Sequence, residues 1–120
     1  MRICIDVDGT VCKTRQLTQS YSEVKPVEGA IEALKELRRL GHYIIFYTAR
    51  HMKTCEGNVG QVVARQGNTL LSWLEKHGVE YDEIWFGKPY ADVYLDDNVF
   101  VKELRKLCPN TKILHYGGRV

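Results

Sequence analysis

A chain of 120 residues, 44% hydrophobic and 27% charged, has room for one hydrophobic core and does not have the composition of a disordered segment. Its net charge of +2 comes without a basic run, so neither nucleic acid nor a membrane surface is expected as a partner. No apolar stretch reaches bilayer length, and Ile3-Cys4-Ile5 breaks off at Asp6 too soon for an export signal.

Cys4, Cys12, Cys55 and Cys108 form no CxxC pair and have no histidine partners at zinc spacing. Reduced structural thiols in a cytoplasmic protein are the expectation.

Short apolar runs alternate with helical patterns, as in a parallel α/β sheet. Residues 2–7 read as a first strand covered on both faces. Residues 12–25 are polar and aperiodic. Pro26 leads into a helix through Arg39, where Ala30, Ile31, Leu34, Leu37 and Arg38 recur at spacings of three and four. Arg38 is the polar intruder on that face, and Gly41 ends the helix. Residues 43–47 form a second buried strand, followed by a loop to about Gly60. The next helix carries Leu70, Leu71 and Leu74, with Asn68 or Thr69 able to cap its better half and Gly78 closing it. Residues 83–86 and 92–95 are the third and fourth strands. Phe100, Leu104 and Leu107 give a short helix one face, Pro109 bars its continuation, and residues 112–115 are a fifth strand. With no repeat, low-complexity tract or linker, residues 1–120 are expected to form one domain.

Ligands of such folds bind beyond the carboxyl ends of the strands. Polar residues collect there: Asp6 and Asp8, then Thr48, then Lys88, then Asp96 and Asp97. Side chains alternate along a strand, so Asp6 and Asp8 can share a side about 7 Å apart while Val7 enters the core. Two such carboxylates repel unless a cation or a proton intervenes. Gly9 permits a sharp exit and a close approach of backbone to a ligand. A simple Asp-Gly turn would account for Asp8 and Gly9 but not for Asp6, which ends an apolar strand.

Thr48 is either a phosphate-oxygen donor or an ordinary strand threonine. Arg50 either grips a phosphate or sugar with its planar fork or lies solvated at the surface. Lys88 either neutralises a carboxylate and an incoming phosphoryl group or is a loop lysine. The adjacent pair Asp96-Asp97 calls for a hard divalent cation, and magnesium suits a set of few carboxylates, waters and a phosphate oxygen.

Asp-x-Asp-Gly-Thr, then Thr, Lys and Asp-Asp, each closing a successive strand, resembles the haloacid dehalogenase superfamily over essentially the whole chain. Phe46-Tyr47-Thr48-Ala49-Arg50, Gly57-Asn58-Val59-Gly60 and Gly87-Lys88-Pro89-Tyr90 resemble its small capsule-biosynthesis phosphatases. The resemblance implies a Rossmann-like three-layer α/β sandwich with a five-stranded parallel sheet and no full cap domain. It implies a Mg2+-dependent phosphatase in which Asp6 attacks phosphorus and Asp8 is the general acid and base. Metal ligands would be Asp6, the Asp8 backbone carbonyl and Asp96, with Asp97 a further or water-mediated ligand. Thr48 and Lys88 would stabilise the transferring phosphoryl group, and Gly9, Ala49 and Arg50 would join them around the substrate. The substrate would be a small phosphate monoester, a sugar phosphate being the preferred class.

Residues 12–25 and 51–60 are large enough only for small lids, so a homo-oligomer is a possible source of further cover. Two other readings stand beside this one. A receiver-type phospho-acceptor domain also joins aspartates, Thr, Lys and magnesium, but puts its phosphorylated aspartate on the third strand, where this chain has Phe86-Gly87. A non-catalytic phosphosugar-binding protein of the same fold would carry the same residues.

Overall fold

The computed structural model describes residues 1–87, 92–96 and 106–107. Its elements are β1 (Arg2–Asp6), α1 (Ala30–Arg39), β2 (Tyr43–Thr48), α2 (Val59–Lys76), β3 (Glu83–Phe86) and β4 (Val93–Leu95). The strands form one four-stranded sheet in the order β3-β2-β1-β4, and every pairing in it is parallel. The fold is therefore α/β with a parallel sheet, and four of the five expected strands lie among the described residues. The fifth, residues 112–115, lies outside them, as do Phe100, Leu104, Cys108 and Pro109.

Strand order explains where the helices go. The steps from β1 to β2 and from β2 to β3 run in the same direction across the sheet, so right-handed crossovers put α1 and α2 on one face. Their apolar faces meet there. Ile3, Ile5 and Val7 of the first strand and its exit pack with Ile44, Phe46 and Leu95, beneath Ala33, Leu34 and Leu37 of α1 and Leu70, Trp73 and Leu74 of α2. On the other face Cys4 and Ile45 are fully buried, with Tyr47 and Tyr94 packed against them. The described helices α1 and α2 thus form one layer on the sheet, and the expected third layer is not seen among the described residues. Cys4, Cys12 and Cys55 are buried. Among the described residues no helix is long and apolar enough to cross a membrane.

Two helix starts differ from the sequence expectation. The first begins at Ala30 rather than just after Pro26, because Pro26 forms an isolated antiparallel bridge with Cys12 and Val27 N–H donates to the Val11 carbonyl at 2.9 Å. Those residues close the base of an insertion instead of opening a helix, and Gly29 then turns the chain at φ +84°. The second helix begins well before Asn68: Asn58 is its cap, its side-chain oxygen accepting from Gln61 N–H at 3.2 Å. Its first half was hard to read because only Val62 there is buried before Gly67. Arg38, the polar intruder of α1, donates to Asp82 at 2.8 Å, and Asp82 in turn accepts from the Ile44 N–H at 2.7 Å, so it ties the helix to the start of the sheet.

The insertion at residues 13–25 is anchored at its end. Lys13 N–H donates to the Lys25 carbonyl at 2.8 Å, and the buried Trp73 indole donates to the Val24 carbonyl at 2.7 Å. Between these ties it holds a short 3-10 turn, Tyr21–Glu23, and the almost fully exposed Leu17.

Candidate active site

The chain leaves β1 through one tight turn. The Val7 carbonyl accepts from the N–H groups of Thr10, Val11 and Cys12 at 3.3, 2.9 and 3.1 Å, while Gly9, at φ +86°, donates its own N–H to the Cys12 carbonyl at 2.8 Å. A side chain at that φ would be strained, which explains glycine there. Val7 is buried in the core as expected, and the turn delivers Asp8 to the tip of β2.

At that tip the Thr48 hydroxyl has two jobs. It accepts from the Arg50 backbone N–H at 3.1 Å and donates to Asp8 Oδ2 at 2.9 Å. The first contact folds the chain back after the strand, as serine and threonine hydroxyls do in turns. His51 follows at φ +58°, an uncommon conformation for a non-glycine residue. The folded-back Arg50 donates from Nε to Asp8 Oδ1 at 2.9 Å and from Nη2 to Cys12 Sγ at 3.5 Å. Both carboxylate oxygens of Asp8 are thus held by donors from the β2 exit. Burial pushes the Cys12 thiol up to about 12, with the Asp8 charge adding to the rise and Arg50 opposing it. The Cys12 thiol also donates to Asp8 Oδ1 at 3.6 Å.

On the other side of β1 lies β4. Ile5 pairs with Leu95, so the next residues, Asp6 and Asp96, fall side by side at the tips of adjacent strands. Adjacent strands are about 4.8 Å apart. Asp6 also pairs in register with Tyr47 of β2. Burial raises the Tyr47 phenol to about 12, and the charges of Asp6 and Asp96 contribute to that rise, so both carboxylates act on one ring. This crevice, flanked by strands reached through crossovers that leave in opposite directions, is a topological switch point.

Of the residues expected at the site, Asp6, Asp8, Gly9, Thr48, Arg50 and Asp96 converge on the tips of β1, β2 and β4. Ala49 is exposed beside them. Lys88 and Asp97 lie outside the described residues. Among the described residues no group of three or more His, Cys, Asp or Glu side chains is assembled to hold a metal ion. The Asp8 carboxylate is turned to Thr48 and Arg50, which leaves Asp6 and Asp96 as the described carboxylates at the β1–β4 crevice.

Sequence reading missed Tyr21. Its ring lies 4.2 Å from the Arg50 guanidinium carbon and 5.0 Å from that of Arg15, and it meets the His51 ring edge-on at 5.8 Å. The two segments expected to act as lids therefore touch each other. A lone aromatic in a polar stretch was the only signal for it.

No protein-family model matches the chain, and no curated protein matches it. Among solved structures it is similar to a D,D-heptose 1.7-bisphosphate phosphatase from B. bronchiseptica complexed with magnesium and phosphate, at 17% identity and a TM-score of 0.49, over 77% of this chain and 52% of that one. It is similar also to a crystallographic target protein from Vibrio cholerae, with a TM-score of 0.69. At 34% identity over 93% of its own length and 100% of that protein's, the chain belongs to one family with the Vibrio cholerae protein.

Proposed function

We propose that the chain is a magnesium-dependent phosphohydrolase of the haloacid dehalogenase type, acting on a small phosphate monoester through a covalent intermediate on Asp6. The observation that carries this reading is the division of labour around β1. Asp6 stands beside Asp96 across one ladder, while Asp8 is bound to Thr48 and Arg50 across the other. The reading assigns these two carboxylates, which have different neighbours at the end of β1 and in its exit turn, the roles of nucleophile and proton-transfer group.

The donor set fits the metal. Asp6 and Asp96 are partly exposed carboxylates on neighbouring strand tips, a hard oxygen pair that suits magnesium when joined by a backbone carbonyl and waters. Asp6, Asp96 and the Asp8 carbonyl would hold it, with Asp97 as a further ligand. Bound magnesium would neutralise charge on the phosphoryl oxygens and on the paired carboxylates.

The protein's own groups supply the rest. An Asp6 oxygen attacks phosphorus as the bond to the leaving oxygen breaks, and Asp8, having first taken up a proton on one of the oxygens that accept hydrogen bonds in this structure, delivers it to that leaving oxygen. Water then attacks the aspartyl-phosphate while Asp8 takes the water's proton, releasing inorganic phosphate and restoring the Asp6 carboxylate. Lys88 would stabilise the transferring group, and Thr48, whose one hydroxyl proton is donated to Asp8 in this structure, would join it by turning that proton to a phosphoryl oxygen. The preference for a sugar phosphate rests on the likeness of Phe46-Tyr47-Thr48-Ala49-Arg50 and its companion stretches to capsule-biosynthesis phosphatases. With only short lids available, the substrate itself or a second copy of the chain would complete the cover.

Phosphate release from a panel of sugar phosphates and nucleotides, with magnesium and with excess chelator, tests the reading. Magnesium-dependent turnover that disappears in Asp6→Asn supports it; turnover that survives either the chelator or that substitution refutes it.

A further inference from the structure

Arg50 is a charged side chain with only 1% of its surface exposed. Burying a guanidinium is costly unless its surroundings return the lost hydration. Here Nε donates to Asp8 Oδ1 at 2.9 Å, Nη2 donates to Cys12 Sγ at 3.5 Å, and the Tyr21 ring lies 4.2 Å from the guanidinium carbon. Nη1 is buried with no hydrogen-bond partner. The Asp8 carboxylate is the charge this group meets, and Tyr21 covers the guanidinium. A surface arginine free to grip a ligand would have neither feature.

We infer that Arg50 is a positioning residue for Asp8, and that Tyr21, brought over from the insertion at residues 13–25, covers the guanidinium that holds it. The inference rests on the proposed reading of Asp8 as the proton-transfer group. A general acid works only when aimed at the leaving oxygen within hydrogen-bond reach. With Thr48 on Oδ2 and Arg50 on Oδ1, two donors fix the plane of the carboxylate from separate oxygens, so rotation about its last bond would break one of them. The Cys12 thiol adds a longer contact of 3.6 Å to the same oxygen as Arg50. The Tyr21 ring shields the guanidinium side of the contact and adds cation–π attraction, while the Asp8 side chain stays 29% exposed. Tyr21 is in turn held by Arg15 and His51, so both short segments that border the site set the aim of Asp8.

The test is the dependence of kcat/KM on leaving-group acidity, measured over a series from p-nitrophenyl phosphate through phenyl phosphate to alkyl phosphates. A good leaving group departs with little help from an acid, and a poor one needs it. Wild-type protein, Asp8→Asn, Arg50→Met and Tyr21→Ala are compared in the presence of magnesium. In Arg50→Met the loss should grow as the leaving group worsens, from less than about tenfold on p-nitrophenyl phosphate to about 10²-fold or more on alkyl phosphates, following Asp8→Asn. Tyr21→Ala should steepen the dependence in the same direction by a smaller amount.

A loss in Arg50→Met that is equal across the series would mean that Arg50 acts on the phosphoryl group or only on folding, and would overturn the inference. If Arg50→Met does not fold, Tyr21→Ala decides: a slope like that of wild type overturns it. A flat series for Asp8→Asn would instead sink the reading of Asp8 itself, an outcome distinct from failure at Arg50.

Discussion

Asp6 and Asp96 stand at the same level of the sheet: Ile5 pairs with Leu95 across the β1–β4 ladder, and the next residue on each strand is an aspartate. Two full charges about 5 Å apart repel by roughly 3 kcal/mol at an effective dielectric of 20. A divalent cation removes that penalty. Magnesium should therefore stabilise the folded chain, by about 2.7 kcal/mol at a hundredfold excess over Kd, and raise Tm accordingly. Asp96→Asn should weaken magnesium binding by about 100-fold or more, since even groups that only orient a ligand contribute 10–100-fold. Thermal melts over a magnesium titration check both, and a Tm indifferent to magnesium in wild-type protein would count against the site.

Thr48 is fully buried and carries both a donated bond to Asp8 and an accepted one from the Arg50 backbone. Thr48→Val removes both while keeping the shape. It should cost about 1–3 kcal/mol in urea unfolding and lower kcat/KM by about 10²-fold. Thr48→Ser, which keeps the hydroxyl, should lie close to wild type in both measurements.

Strand ends and their polar tips were legible in the sequence because period and punctuation act locally. Ile3, Ile5 and Val7 against Asp6 and Asp8 is a pattern that one strand and one exit turn explain. Three features were not legible. The start of α2 at Asn58 was hidden, because a long exposed half-helix has no apolar stripe to announce it. Pro26 looked like a helix opening, yet its bridge to Cys12 is a non-local pairing that no window around it reveals. Arg50 read equally well as a ligand or a surface residue. Its guanidinium is covered by Tyr21, a residue far away in the chain whose surroundings give no period at all.

The Trp73 indole is one of the two ties at the end of the 13–25 insertion, through the carbonyl of the buried Val24. Trp73→Phe leaves that carbonyl unsatisfied at a cost of about 1–3 kcal/mol. Limited proteolysis should then cut near the exposed Leu17 faster than in wild-type protein, while amide exchange in β1 and β2 changes only with global stability.

His77 packs its ring 4.4 Å from that of Trp73, and burial together with the neighbouring Lys76 charge lowers it below its ordinary value of 6.5. The folded state therefore resists a proton that the unfolded chain accepts. Stability should be unaffected by this group well above pH 6.5 and should fall as the pH drops through 6.5 toward the lower folded value. In a Trp85→Phe background, protonation of His77 should also quench Trp73 fluorescence, with a midpoint below 6.5. His77→Gln should abolish the transition; a midpoint at or above the ordinary value would contradict the assignment.

The claim that Asp6 is the nucleophile has a direct chemical readout. Protein mixed with magnesium and a phosphoryl-labelled monoester that it turns over is quenched in acid within a turnover, digested and mapped. The account predicts label on the peptide carrying Asp6, bound as an acyl phosphate that hydroxylamine removes, and none in Asp6→Asn. Label on another residue, label that persists in Asp6→Asn, or turnover with no covalent label at any quench time would contradict it.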